Sequence, residues 1–397
     1  MSKLDELIQT LCPDGVEYKA IESICNISRG KVMSKDYIRD NFGEYPVYSS
    51  QTENNGVLGT ISTYEYDGEY LTWTTDGANA GSVFYRNGKF SVTNVCGLLK
   101  VTDNSVLSKY LYYILKISTE PHVNRGMGNA KLMSNVMAKI KVPVPPMEVQ
   151  GEIVRILDNF TELTAELTAE LTARKKQYEY YRDELLTFDK DDTSVEWKTL
   201  GEISTDMYRG AGIKRDEVTQ TGTPCVRYGE IYTTYNIWFA ECVSHTNPDI
   251  ISNKKYFEKG DILFAITGES VEDIAKSCVY MGEDKCLAGG DIVVMKHNQN
   301  PKYVAYALST TNAKMQKSKG KVKSKVVHSS VPALKEITIP IPSLAEQERI
   351  VSILDRFDAL CNDISIGLPA EIEARQKQYK YYRDKLLTFK SKNSEVC

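Results

Sequence analysis

With 397 residues, 42% of them hydrophobic, and with Gly and Pro at ordinary levels, the chain has room for two globular domains plus connecting helices. A net charge of −4 and a pI near 5.8 exclude a nonspecific polycation, but not a DNA reader whose basic patches are local. Nine cysteines without a CxxC pair, and only four histidines, point away from a zinc site or a disulfide framework. The start is polar and lacks a signal-peptide core, and no apolar run approaches the roughly 18 residues of a membrane span, so the expected home is the reducing cytoplasm.

In chain order, DELIQTL near the start looks like a short copy of DELLTF at Asp183–Phe188. A variable block follows over about 20–139. Its short apolar runs EYLTWTTDG, GSVFYRNGKFSV and VCGLLKV, bounded by Gly, Asn and Asp, read as strands, with RNGK as a hairpin turn and KYLYYILK as a helix. Pro143, Pro145 and Pro146 then stop an extended run, and apolar residues at spacings of three and four predict one helix over Met147–Phe188. At about 1.5 Å per residue it is roughly 60 Å long, too long for one compact core, so a coiled-coil-like pairing with a partner helix is expected. A second variable block over about 200–336 repeats the order of elements: GDILFAITG, KSCVYMGEDKCL with GEDK as hairpin turn, GDIVVMKH, and the helix KYVAYALST. Each block is expected to be a mainly antiparallel α+β domain. The chain closes with helices over Leu344–Ile366 and Ala370–Phe389, broken at Gly367-Leu368-Pro369.

The halves are duplicates outside the variable blocks. RKKQYEYYRDELLTF at Arg174–Phe188 recurs as RQKQYKYYRDKLLTF at Arg375–Phe389, identical at 12 of 15 positions. VPVPPMEVQGEIVRILDNF (Val142–Phe160) recurs as IPIPSLAEQERIVSILDRF (Ile339–Phe357), and VEYKAIESI (Val16–Ile24) as VEWKTLGEI (Val195–Ile203). Within the first long helix, TELTAELTAELTA places Leu163, Leu167 and Leu171 four apart, advancing about 40° per step around the helix. One TAEL unit changes helix length by about 6 Å, nearly two base-pair steps. Tyr178, Tyr181, Tyr379 and Tyr382 in the repeated ends are expected to pack between helices rather than stack on bases.

Catalytic signatures are missing: no phosphate loop, no nucleophile elbow, no glycine-rich methyl-donor loop after a strand. Pro248-Asp249 with Glu283-Asp284-Lys285 imitates a nuclease pattern, but the gap is long and the first half has no acids there. No catalytic or metal-binding residue is expected. Binding candidates are better supplied. Ser49, Ser50 and Gln51, and Thr75 and Asn79, lie in amide- and hydroxyl-rich loops; Gln51 or Asn79 suits bidentate pairing with adenine. Arg125 and Lys131 flank glycines in a loop of the first block. The corresponding place in the second holds the basic run Ala313–His328, with Lys317, Lys319, Lys321 and Lys323 suited to phosphates. In CVRYGEIYTTYN, Arg227 suits guanine, Glu230 suits the cytosine amine, and Tyr228 stands between them.

The duplicated helix entries, the TAEL repeats and the paired RxKQYxYYRDxLLTF ends together resemble the specificity subunit of type I restriction–modification systems, most closely the IC subfamily. The resemblance spans essentially the whole chain. It implies two target-recognition domains, at 1–139 (with a helix stub at 1–15) and 191–336. The conserved helices at 140–190 and 337–397 would form an antiparallel coiled coil with pseudo-two-fold symmetry. It further implies an asymmetric bipartite site on double-stranded DNA and two docked modification subunits that carry S-adenosylmethionine and methylate adenine N6. Restriction/motor subunits would join the same assembly, and this chain would have no cofactor and no catalysis of its own. The rival expectations are a freestanding DNA methylase or nuclease, or a coiled-coil scaffold that does not bind DNA.

Overall fold

The computed structural model describes residues 3–126, 128–189, 192–271, 273–318, 321–323, 326–363 and 366–392. The chain is mixed α/β, with two sheet-rich domains and long helices. It divides into two compact units, Met1–Leu167 with Ile372–Cys397, and Thr168–Glu371. Among the described residues no helix is long and apolar enough to cross a membrane.

The first unit opens with the stub helix Lys3–Leu11. Its strands are β1 (Glu17–Ala20), β2 (Cys25–Arg29), β3 (Phe42–Tyr48), β4 (Val57–Ile61), β5 (Tyr66–Asp67), β6 (Tyr70–Thr74), β7 (Val83–Arg86), β8 (Lys89–Val92), β9 (Cys96–Val101) and β10 (Lys141–Val144). They form two four-stranded sheets, β2-β9-β6-β7 and β4-β3-β8-β5, and a separate β1-β10 pair. The core gathers Ile21, Trp73, Leu99, Leu111, Ile114, Ile153 and Leu157, joined by Leu4 of the stub and Leu387 after the last helix.

The second unit repeats this plan with more strands: β11 (Glu196–Thr199), β12 (Ser204–Arg209), β13 (Val218–Thr219), β14 (Thr223–Val226), β15 (Trp238–Phe239), β16 (Ser244–Thr246), β17 (Tyr256–Phe257), β18 (Ile262–Ala265), β19 (Thr267–Gly268), β20 (Ser277–Tyr280), β21 (Cys286–Ala288), β22 (Ile292–His297), β23 (Lys321–Lys323), β24 (Val326–His328) and β25 (Thr338–Ile341). Two five-stranded sheets result, β12-β22-β18-β20-β15 and β13-β16-β14-β21-β17, with β19-β24-β23 and the β11-β25 pair beside them. Strands β18 and β20 are buried at every residue, which is why ILFA and SCVY carry no alternation.

Most pairings are antiparallel, but the expected hairpins are absent. After RNGK the chain leaves the β7 sheet, and β8 pairs parallel with β3 in the other sheet, Tyr48 opposite Val92. GEDK does the same in the second unit: β21 runs parallel to β14, Val226 opposite Ala288. The turn residues are there, but β8 finds both its neighbours, β3 and β5, in the other sheet, as β21 finds β14 and β17.

The long helix runs Met147–Leu185, 39 residues without a break. The C-terminal copy is two helices, Leu344–Asn362 and Leu368–Leu386. Gly367 occupies the break because a Cβ there would sit 2.5 Å from the Ala359 carbonyl oxygen and 2.7 Å from that of Asp363. In the first unit Phe160 stacks on Tyr382, centroids 5.5 Å apart. In the second, Phe357 stacks on Tyr181 at 5.6 Å and packs on Tyr178 at 6.5 Å. Leu163, Leu167 and Leu171 are half-buried, and Tyr379 packs partly buried against the first core.

Each unit ties its sheets to these helices with the same polar bracket. Lys109 Nζ and Tyr113 Oη, on the helix Ser108–Ser118, donate to the two carboxylate oxygens of Asp158, each at 2.6 Å. Lys302 and Tyr306, on Pro301–Ser309, do the same to Asp355 at 2.7 Å. Tyr110 donates to the Pro143 carbonyl at 3.0 Å and Tyr303 to the Pro340 carbonyl at 2.9 Å. Gln150 and Gln347 are fully buried. Their amides donate to the carbonyls of Pro145 and Pro342 and accept from the backbone N–H of Leu107 and Asn300. Such groups are tolerated in a core only because each is matched to a partner.

Candidate nucleic-acid interface

In the first unit, three loops that are distant in sequence meet. The first, Ser49–Thr52, leaves β3. The second, 75–81, leaves β6. The third is a narrow hairpin in which Asn124 and Lys131 exchange both backbone hydrogen bonds, at 2.9 and 3.0 Å. The Gly77 N–H donates to the Ala130 carbonyl and the Leu132 N–H to that of Thr75, each at 3.0 Å, tying the hairpin to the second loop. Asn79 Nδ2 donates to Thr52 Oγ1 at 2.9 Å, tying the second to the first. Ser50 Oγ and Thr75 Oγ1 both donate to the Val95 carbonyl, the latter at 2.8 Å. Thr93 Oγ1 donates to Ser49 Oγ at 3.0 Å, and Gln51 Nε2 to the Val57 carbonyl. A polar recess of about 260 Å³ opens among Asn124, Gly126, Gly128, Asn129 and Lys131. All seven candidates of the first block thus fall in one cluster, but with different exposure. Lys131, Asn79 and Arg125 are exposed, Arg125 pairing with Glu120 at 2.7 Å. Thr75 is only 2% exposed, so it braces the loops and does not face an outside base.

The second unit builds an equivalent place from charged residues. Arg227-Tyr228 leaves β14 as Ser49-Ser50 leaves β3, both after the strand that pairs parallel across the sheet. Arg227 caps the short helix Tyr228–Thr233. Glu230 accepts from the Arg227 backbone N–H at 3.0 Å, from Arg227 Nε at 3.1 Å and from Ser244 Oγ at 2.7 Å. It is buried, with its oxygens occupied, so it orients Arg227 and is not free to accept from cytosine. Arg227, half-exposed Tyr228, Arg215 and Asp291 line an open cavity of about 520 Å³.

The lysine run divides. Lys317 points inward: its amine donates to Ser277 Oγ at 2.9 Å and to the Leu308 carbonyl at 2.8 Å, and burial pushes its pKa down to about 7. It is an anchor, contrary to the phosphate contact expected of it. Lys319 lies outside the described residues, and Lys321 and Lys323 are described by backbone alone. That backbone forms the β23–β24 hairpin, and β24 pairs with β19, the segment just after β18. Lys131 bridges Asp76, just after β6, in the same relation.

Three features escaped the sequence reading. Asp76 Oδ1 is buried in the loop cluster with no hydrogen-bond donor. Arg29 and Arg209 end β2 and β12 just before Gly30 and Gly210; Arg29 donates to Ser134 Oγ at 3.1 Å and Arg209 pairs with Asp291 at 2.5 Å. A repeated Arg-Gly at nearly the same offset as VEYKAIESI and VEWKTLGEI was the available signal. Among the described residues no group of His, Cys, Asp and Glu could hold a metal ion.

A family model described as the type I restriction modification DNA specificity domain matches twice, at residues 13–174 and 194–374. S.MpnORF507P of Mycoplasma pneumoniae, named as a candidate type I specificity subunit, is 33% identical over 371 residues, covering 92% of this chain and 96% of that protein. The specificity subunit of the type I restriction enzyme MpnII, from the same organism, is 45% identical over 172 residues, covering 42% of this chain and 52% of that protein. The fold is similar to that of the type I restriction–modification S subunit from M. genitalium, with a TM-score of 0.57 at 16% identity over 94% of this chain and 96% of that one. A chain from a structural study of type I complex assembly and conformational transition gives a TM-score of 0.62 at 11% identity, over 94% and 97%.

Proposed function

The chain belongs to the type I restriction–modification DNA specificity family, matched once in each half, and we propose from that membership how its two halves divide the reading of DNA. It is the DNA sequence-specificity subunit of a type I complex and has no catalysis of its own. The carrying observation is one bracket and one strand plan built twice around two unlike loop clusters. Unlike readers on a repeated frame select a split, non-palindromic site. In the first unit, Asn79 and Gln51 supply amides for adenine. Ser49, Ser50 and Lys131 position the loops and the backbone, and Arg125 meets a phosphate on exchanging Glu120. In the second unit Arg227, aimed by Glu230, reads guanine, with Tyr228 against its neighbour. Lys319, Lys321 and Lys323, clustered in the sequence, supply charge for phosphates.

The repeated helices form an antiparallel coiled coil that sets the unread spacer and docks two methyltransferase subunits, and restriction/motor subunits complete the assembly. S-adenosylmethionine belongs to the methyltransferase partners, which extrude and methylate adenine at N6. The TAEL run beside the repeated helix end supports the IC subfamily. Sequencing of methylated bases in cells carrying this chain with its modification subunit tests the reading. A bipartite asymmetric motif is expected; a palindromic motif, or none, overturns it.

A further inference from the structure

The eight cysteines among the described residues are free thiols, and two of them touch: Cys242 Sγ lies 3.6 Å from Cys286 Sγ. Cys286 opens β21 and is completely buried, whereas Cys242, just before β16, is partly exposed. In their sheet β14 lies between β16 and β21, and β14 delivers Arg227. The residues after Cys242 reach the same platform: the Val243 N–H donates to Tyr235 Oη at 2.9 Å, and Ser244 Oγ to Glu230. We propose that Cys242 and Cys286 are a modification site, closing to a reversible disulfide under hydrogen peroxide and fastening the flanks of the strand that carries Arg227.

The chemistry follows from the two environments. Peroxide reaches Cys242, the partly exposed residue of the pair. Its hydrogen bond to Cys286 and then burial push its pKa up and slow this first step, in which the thiol loses its proton and gains oxygen, giving a sulfenic acid and one water. Cys286 then attacks the sulfenic sulfur; its proton and the expelled hydroxide leave as the second water. Two thiols are oxidised by two electrons, and one peroxide is reduced to two waters. Cys286 suits the attacking role because the Tyr280 hydroxyl donates a hydrogen bond to its sulfur, a contact that does not depend on the Cys242 thiol consumed in the first step. A third thiol, Cys225 on β14, is fully buried.

The inference stands whether or not the chain reads DNA. The full chain is treated with hydrogen peroxide, alkylated, digested without reductant and examined by mass spectrometry. A Cys242–Cys286 linked peptide should dominate, disappear on adding dithiothreitol, and be missing from C242S and C286S. In C286S, dimedone should label Cys242, and circular dichroism should match the wild type. Hydrogen exchange across residues 227–235 should slow on oxidation. Cys242 running to sulfinic acid without a link, or Cys286 linking to Cys225, overturns the pairing. Unchanged exchange overturns the fastening.

Discussion

The two candidate surfaces sit at equivalent strand ends and share almost no chemistry. The first presents neutral amides and hydroxyls that bond to one another and to the Val95 carbonyl. The second presents an arginine held by a buried glutamate beside an open cavity. Beneath them, Lys, Tyr, Tyr, Gln and Asp recur in the same bonds at nearly the same distances. Tyr110, Tyr303 and both glutamines are fully buried, and a buried polar group leaves little freedom, because losing one partner strands the other. A surface loop answers only to what it binds, so sequence divergence collects there.

The comparison is broken most completely by shortening what both halves share. Deleting Thr168–Leu171 removes about 6 Å of helix; the original site should be abandoned for one with a different spacer and both half-sites unchanged, as methylome sequencing would reveal. Next, Gln150→Ala and Gln347→Ala each strand a buried N–H and a carbonyl, and each should cost about 3 kcal/mol in urea unfolding. A loss under 1 kcal/mol for either would show that the bracket carries no strain-free advantage over water. Arg227→Ala should weaken binding about tenfold to a hundredfold and relax one position in one half-site, while Asn79→Ala relaxes a position in the other. Relaxation of the same half by both would sink the division of labour. The last is a pH slope. The Lys317 amine has its pKa lowered from 10.5 to about 7 by burial. Between those values the unfolded chain binds the extra proton, so stability should rise with pH across that window; it is lost progressively as pH falls from 10.5 to 7, below which both states are protonated and the slope ends. Lys317→Met should flatten this part of the curve in denaturation at pH 6.5–9.5.

Periodicity exposed what depends on one strand or helix at a time. The helix from Met147 and strands β6, β9, β18 and β22 all lie where short-range patterns put them, and the C-terminal copy breaks as expected, though its first helix ends at Asn362 and not Ile366 and its second starts at Leu368. The RNGK and GEDK turns misled because turn chemistry says that the chain reverses, not which neighbour the next strand will choose. Lys317 was hidden in a run of lysines; its only clue was Ala313, one helical turn earlier and also buried. Glu230 was read as a base contact because its capping position begins with Arg227 where a Ser or Thr would have advertised it. Gln150 and Gln347 stood at matching places in the duplicated strings, yet most of their partners are backbone groups, which no side-chain pattern displays.

Since the seam between frame and reader consists of the same five side chains in each half, Lys and two Tyr on the reader side meeting Gln, Asp and proline carbonyls on the frame side, it is indifferent to whatever lies beyond it. A gene crossover near Val142 or Ile339 that keeps those five residues should transplant one reader intact onto a foreign frame, so new specificities can arise by exchange of whole blocks rather than by accumulated point changes.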